Sequence, residues 1–242
     1  MIKLFFLLFI LVTFSKSAYS QESLAKQRPL SFDTTIALEI KLNYLLYLPV
    51  DYGKKDTNYL LMLFLHGAGE RGNDINLVKK NGPPKLIEEG KDFPFLIVSP
   101  QCPENQRWNP LALNFLLDDI IKNYKVDTNK IYITGLSMGG HGTLELAKFA
   151  PERFAAIAPI CGWSDMFEIH KLKNMPIWVF HGAKDALVPI SESERLVNIL
   201  KYLGNDVKFT VYPEAGHDAW TETYNNQKLY NWLLEQSLEK KK

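Results

Sequence analysis

The chain is short of cysteine, of charge of one sign and of long apolar runs, and each shortage narrows what it does. Its two cysteines, Cys102 and Cys161, allow at most one bridge; both stand beside expected strand ends and read as buried, unpaired thiols. No Cys or His pair has metal-ligand spacing, so no metal site is expected. Lysine plus arginine number 28 against 27 acidic residues. That balance offers no electrostatic footprint for nucleic acid or an anionic membrane. Repeats, low-complexity stretches and linkers are absent, and the sequence carries no signal for oligomeric state.

The longest apolar run, residues 4–14, broken only by Thr13, follows the basic start Met1-Ile2-Lys3 and precedes the small-residue tail Ala18-Tyr19-Ser20. It is short for a bilayer span and has the layout of a secretory signal peptide over 1–20. Export to the periplasm or the medium is expected, with no stable membrane insertion after cleavage. Losing Lys3 and Lys16 leaves 26 basic against 27 acidic residues, about −1. Residues 21–242 are expected to form a single catalytic domain, opened by a polar lead-in over 21–29.

What is present is an alternation of strands and helices. Alternation over 31–49 suggests two antiparallel strands, the second closed by Pro49. Residues 59–65 are apolar throughout, as in a strand buried on both faces. Further strands are expected at 93–99, 131–133, 154–160, 176–180 and 207–212. Helices are expected at 84–89, 111–124, 140–150, 191–203 and 219–238. Ser191 and Glu194 have the spacing of a capping box, and Gly204 that of a helix stop. This order predicts an α/β fold with a mostly parallel sheet.

The chemistry is concentrated at Gly135-Leu136-Ser137-Met138-Gly139, a G-x-S-x-G turn between a strand and a helix. The flanking glycines let the chain turn sharply enough to expose the serine. Ser137 is therefore the expected nucleophile, and it needs a histidine base oriented by a carboxylate. In a parallel sheet such groups sit on loops after strand C-termini. Asp185 in HGAKDALVP and His217 in PEAGHDAW meet that condition, in the order Ser, Asp, His. Asp218 and Glu214 are the alternatives for the acid, less favoured because their closeness to His217 in sequence makes its far ring nitrogen difficult to reach. His66 and His181 read as loop braces, His141 borders the elbow, and His170 is a surface residue. Oxyanion donors are expected from the backbone N–H groups of Met138 and of Ala68, in His66-Gly67-Ala68-Gly69. Glu70 and Arg71 suggest a charged rim beside that loop. Trp108 and Trp163, in loops after strand ends, are candidate walls for a sugar or phenolic acyl group. Trp220 is expected to pack the last helix on the sheet.

The blocks LHGAGERGND (65–74), SPQCP with RWNP (99–103 and 107–110), VDTNKIYITGLSMGG (126–140), HGAKDALVP (181–189) and EAGHDAW (214–220) resemble the α/β-hydrolases. Within them the likeness is to small bacterial esterases and predicted peptidases related to feruloyl and acetylxylan esterases and polyhydroxybutyrate depolymerases. The resemblance spans about residues 30–237 and implies an α/β-hydrolase fold, with serine-dependent acyl transfer to water and neither metal nor organic cofactor. Only residues 161–175 separate the strands expected at 154–160 and 176–180, so a minimal or absent lid and an open cleft for a small or polymer-linked ester are expected. The leading function is a serine carboxylesterase acting on acyl or feruloyl esters of carbohydrates. A serine peptidase of the same fold and a non-catalytic binding protein are the alternatives.

Overall fold

In the computed structural model, residues 30–238 are described, apart from 36, 38 and 55. The signal-peptide and lead-in expectations fall outside them. The chain divides between Glu39 and Ile40. The described residues on the N-terminal side are exposed and form neither helix nor strand. Everything below concerns the second unit.

Its elements are β1 (Tyr44–Tyr47), β2 (Tyr59–Leu65), α1 (Gly82–Glu88), β3 (Phe95–Pro100), α2 (Pro110–Asn123), β4 (Val126–Leu136), α3 (Met138–Phe149) and β5 (Ala156–Ile160). They continue with β6 (Trp178–Gly182), α4 (Ser191–Tyr202), β7 (Lys208–Tyr212), α5 (Trp220–Asn225) and α6 (Gln227–Leu234). Among the described residues, seven strands form one sheet in the order β1-β3-β2-β4-β5-β6-β7. Only β1 runs antiparallel to its neighbour.

The uninterrupted apolar run of β2 is explained by the two-residue period of a strand. Leu61, Leu63 and Leu65 enter a core shared with Leu113, Leu116, Leu117 and Ile120 of α2, and with Leu144 of α3 and Leu196 of α4. Met62 and Phe64 face the other way, into a second core with Leu86 of α1, Tyr224 of α5, and Tyr230 and Leu233 of α6. Both faces are thus covered. Registers Leu65↔Gly135, Leu136↔Ile160, Ile160↔Phe180 and Gly182↔Tyr212 bring the strand ends to one edge.

Three local expectations are corrected. The described part of 31–43 forms no strand, and β1 takes its ladder from β3 (Tyr44↔Pro100 to Tyr47↔Ile97) rather than from a hairpin partner. Ser191 caps nothing: Ile190 is already helical at φ −55 and ψ −27, and its carbonyl accepts the Glu194 N–H at 3.0 Å. The closing helix is two helices, because Asn226 leaves helical geometry and its side chain accepts the Lys228 N–H to cap α6. The stop at Gly204 does form, with φ +86 and the Asn205 N–H returning to the Leu200 carbonyl. Between β5 and β6 the chain has only a single 3-10 turn, Ile169–Leu172.

Candidate active site

The elbow stands where β4 becomes α3. Ser137 has φ 53 and ψ −117, a conformation that costs a non-glycine residue of order 1–3 kcal/mol. The surroundings hold it there: its N–H donates to the Ile160 carbonyl at 2.9 Å, and its carbonyl accepts the His141 N–H at 3.0 Å. A methyl group on Gly135 would overlap the Gly139 carbonyl, and one on Gly139 would overlap the Leu65 carbonyl. Backbone packing this close demands glycine on both sides of the serine.

Two loops that leave the same sheet edge, those of Asp185 and His217, converge on the elbow. His217 Nε2 lies 2.9 Å from Ser137 Oγ, and His217 Nδ1 lies 2.7 Å from Asp185 Oδ2. A carboxylate only accepts, so Nδ1 carries the proton and Nε2 is left to accept from the serine hydroxyl. Asp185 Oδ1 accepts the N–H groups of Leu187 and Val188, each at 2.9 Å. Burial raises the Asp185 carboxyl, but the hydrogen bonds from His217, Val188 and Leu187 outweigh it and hold the group below the ordinary carboxylate range. The three residues expected to act together are therefore in hydrogen-bond contact.

Met138 opens α3, where an amide has no carbonyl one turn earlier to bond. Ala68 opens a 3-10 turn, Ala68–Glu70, just past the end of β2. Gly67 sets that turn against the elbow, since a methyl there would meet Leu136 Cδ1 at 2.8 Å. His66 braces the turn as expected. Its Nδ1–H donates to the Gly67 carbonyl at 2.6 Å, and Nε2 accepts the Cys102 N–H at 2.9 Å. Burial pushes its pKa down to about 4, assisted by the Arg71 charge and opposed by the Gly67 bond, so the ring is neutral. Arg71 Nε reaches the Ala68 carbonyl at 3.0 Å. Glu70 is no rim residue: it is 5% exposed and accepts from Asn81 Nδ2.

The sequence pattern of the phospholipase/carboxylesterase family matches residues 93–233, which include all three converging residues. The chain belongs to that family. It is 26% identical over 149 residues to a bifunctional acetylxylan esterase/xylanase of Neocallimastix patriciarum, covering 57% of this chain and 21% of the relative. It is 36% identical over 156 residues to poly(3-hydroxyalkanoate) depolymerase C of Paucimonas lemoignei, covering 47% of this chain and 38% of the relative. The chain thus spans less than half the length of these curated relatives. A solved thermostable esterase superposes with a TM-score of 0.70 at 37% identity, over 81% of this chain and 59% of the other.

Within this family member the two tryptophans separate. Trp108 is not a cleft wall: it is 7% exposed, donates through Nε1 to the His66 carbonyl at 3.1 Å, and packs on Gly142. Only a glycine at 142 leaves room for the indole there, since a methyl would meet Trp108 Cδ1 at 2.7 Å. Trp163 stacks on His141 at 4.8 Å with planes 3° apart. With Met166, Leu187, Val188, Pro189 and Arg195 it lines an open groove of about 610 Å³, beside the loop that carries Asp185.

His181 does more than brace a loop. Its Nδ1 accepts from Ser193 Oγ at 2.7 Å, and its Nε2 lies 2.9 Å from the Val188 carbonyl and 3.2 Å from Asp185 Oδ2. Its position four residues before Asp185 was the available sequence signal. Cys161, His181 and Asp185 could in geometry hold an ion. Asp185 is committed to His217, however, and both ring nitrogens of His181 are engaged by Ser193 and the Val188 carbonyl, so the trio is poorly suited to a metal. Both cysteines are free and buried.

Proposed function

We propose that the chain is a carboxylic ester hydrolase working through an acyl-enzyme on Ser137. The observation that carries this reading is the continuous pair of contacts Ser137 Oγ–His217 Nε2 (2.9 Å) and His217 Nδ1–Asp185 Oδ2 (2.7 Å). Ser137 Oγ attacks the ester carbonyl as its proton passes to His217 Nε2. Asp185 keeps the ring in the required tautomer and stabilises the imidazolium. The N–H groups of Ala68 and Met138 receive the oxyanion, each worth on the order of 3 kcal/mol of barrier. Collapse breaks the bond to the leaving alkoxide, which takes the proton from His217. Water then attacks the acyl-enzyme, giving one proton to Nε2; release of the acid returns that proton to Ser137 Oγ.

The substrate class we propose is a short acyl or feruloyl ester of a carbohydrate or polymer. The supports are the stacked Trp163–His141 surface, the groove beside Asp185, the absence of a domain-sized insertion in residues 161–177, and the ester-directed names of the relatives. The leader over 1–20 would deliver residues 21–242 as a secreted or periplasmic catalytic domain. N-terminal sequencing of the exported protein should then begin at Gln21.

The test is a panel of short aryl esters, feruloylated and acetylated sugars, and peptide anilides, run on wild type and Ser137→Ala. Ester turnover should dominate and fall at least about 10⁴-fold in the variant. Dominant anilide turnover would make the chain a peptidase instead. Absence of serine-dependent turnover and of phosphonate labelling would make it a binding protein.

A further inference from the structure

Asn81 stands at the start of α1, where three other residues in equivalent positions, Asp74, Asn109 and Asn226, use their side chains to cap the following helix. Asn81 makes no such cap. Its side chain is spent across the site instead. Asn81 Nδ2 donates to Glu70 Oε1 at 2.5 Å, and Asn81 Oδ1 accepts from Trp220 Nε1 at 3.2 Å. The polarity is forced, because a carboxylate only accepts and an indole only donates. The Trp220 ring meets the His217 ring edge-on, with centroids 5.2 Å apart and planes at 90°.

Glu70 depends on this bond. It belongs to the turn opened by Ala68, and its Oε2 is buried with no hydrogen-bond partner among the described residues. His66 Nδ1 lies 3.7 Å away, and its proton is committed to the Gly67 carbonyl. Asn81 is therefore the side-chain donor that fixes the direction of the Glu70 carboxylate. At the other end, Trp220 opens α5, three residues past His217, and limits where the imidazole can swing.

We infer that Glu70, Asn81 and Trp220 form a bridge that locks the oxyanion turn (residues 67–71) to the His217 loop (residues 214–220), each acting as a positioning residue. Both loops exit the sheet separately, and the donors they carry act on the same tetrahedral centre, so their relative placement has to be held within a fraction of an ångström. Its catalytic consequence rests on the ester-hydrolase reading above; its mechanical content does not.

Two measurements on the full chain test it. Amide hydrogen exchange is read at 67–71 and 214–220 in wild type, Glu70→Ala and Trp220→Phe, the latter keeping a ring but losing the N–H. Each variant should speed exchange in the loop it does not belong to by roughly five-fold or more, because the loops open as one unit. Exchange that rises only in the mutated loop overturns the bridge. Kinetically, Glu70→Ala, Asn81→Ala and Trp220→Phe should each lower kcat roughly ten-fold with little change in KM. The Glu70→Ala/Trp220→Phe double variant should be no worse than either single one, and Glu70→Gln, which keeps an acceptor, should recover most of the rate. Additive losses, or losses confined to KM, refute positioning. Should Glu70→Ala fail to fold, Asn81→Ala replaces it in both measurements; belonging to neither loop, it should speed exchange in both, and a rise in one loop alone or in neither overturns the bridge. A wild type without serine-dependent turnover would sink the hydrolase reading, while the exchange experiment would still decide the bridge.

Discussion

Replacing Asp185 by asparagine isolates the role of a single charge, because the surroundings dictate how the amide must sit. Oδ1 of Asp185 accepts two backbone N–H groups, from Leu187 and Val188, each at 2.9 Å. An amide NH₂ in that place would confront two donors with none of the acceptor capacity they need, at a cost of about 1–3 kcal/mol for each one left unpaired. The asparagine oxygen is thus held on the loop amides, and its NH₂ falls at the Oδ2 position, 2.7 Å from His217 Nδ1. A donor there forces the neutral imidazole to carry its proton on Nε2. That nitrogen faces Ser137 Oγ at 2.9 Å and can no longer take the hydroxyl proton. The expected loss in kcat is about 10⁴-fold, or about 5.5 kcal/mol of barrier, with KM little changed. Steady-state hydrolysis of a short aryl ester, with phosphonate labelling of Ser137 as an independent count of reactive sites, measures it. A folded Asp185→Asn variant within ten-fold of wild type in both would show that tautomer control at His217 does not limit the reaction.

Gly139→Ala should either fail to fold or lose several kcal/mol in urea unfolding, since its methyl would overlap the Leu65 carbonyl; wild-type stability would contradict the close packing at the elbow. His66 is neutral when folded, with a pKa of about 4, against 6.5 when exposed. The unfolded state then binds the extra proton, so stability is lost as pH falls from about 6.5 to about 4, by about 3 kcal/mol. Denaturant titrations of wild type and His66→Gln across that range should show the slope shrinking in the variant, and an unchanged slope assigns it elsewhere. Trp108→Ala should destabilise by about 3–5 kcal/mol as a core truncation. Trp163→Ala should keep its stability and raise KM for aryl or feruloyl esters, and unaltered kinetics would remove Trp163 from substrate binding.

Much of the fold is written into local pattern. An all-apolar heptad at Tyr59–Leu65 suits only a strand covered on both faces, and the structure splits it between two cores. The elbow is equally local, because glycine on both sides of a serine reports backbone crowding directly. Asp185 and His217 were legible through the rule that groups gather at strand C-termini. Pairings were less accessible. Whether 44–47 meets a hairpin partner or β3 depends on where a segment fifty residues later runs, and whether Ser191 caps depends on the conformation already reached at Ile190.

Side chains with two plausible partners mark the boundary most clearly. Residue type and short-range spacing account for the alternation of elements, the strained serine and the identity of the groups that surround it. Long-range packing is what turns Trp108 into the core while Trp163 stays on the groove, sets His181 against Asp185, and makes Asn81 span from Glu70 to Trp220 instead of capping α1. Direction of a side chain is set by which neighbours arrive from distant parts of the chain, and hydrogen bonds that link three loops have no period or motif to announce them.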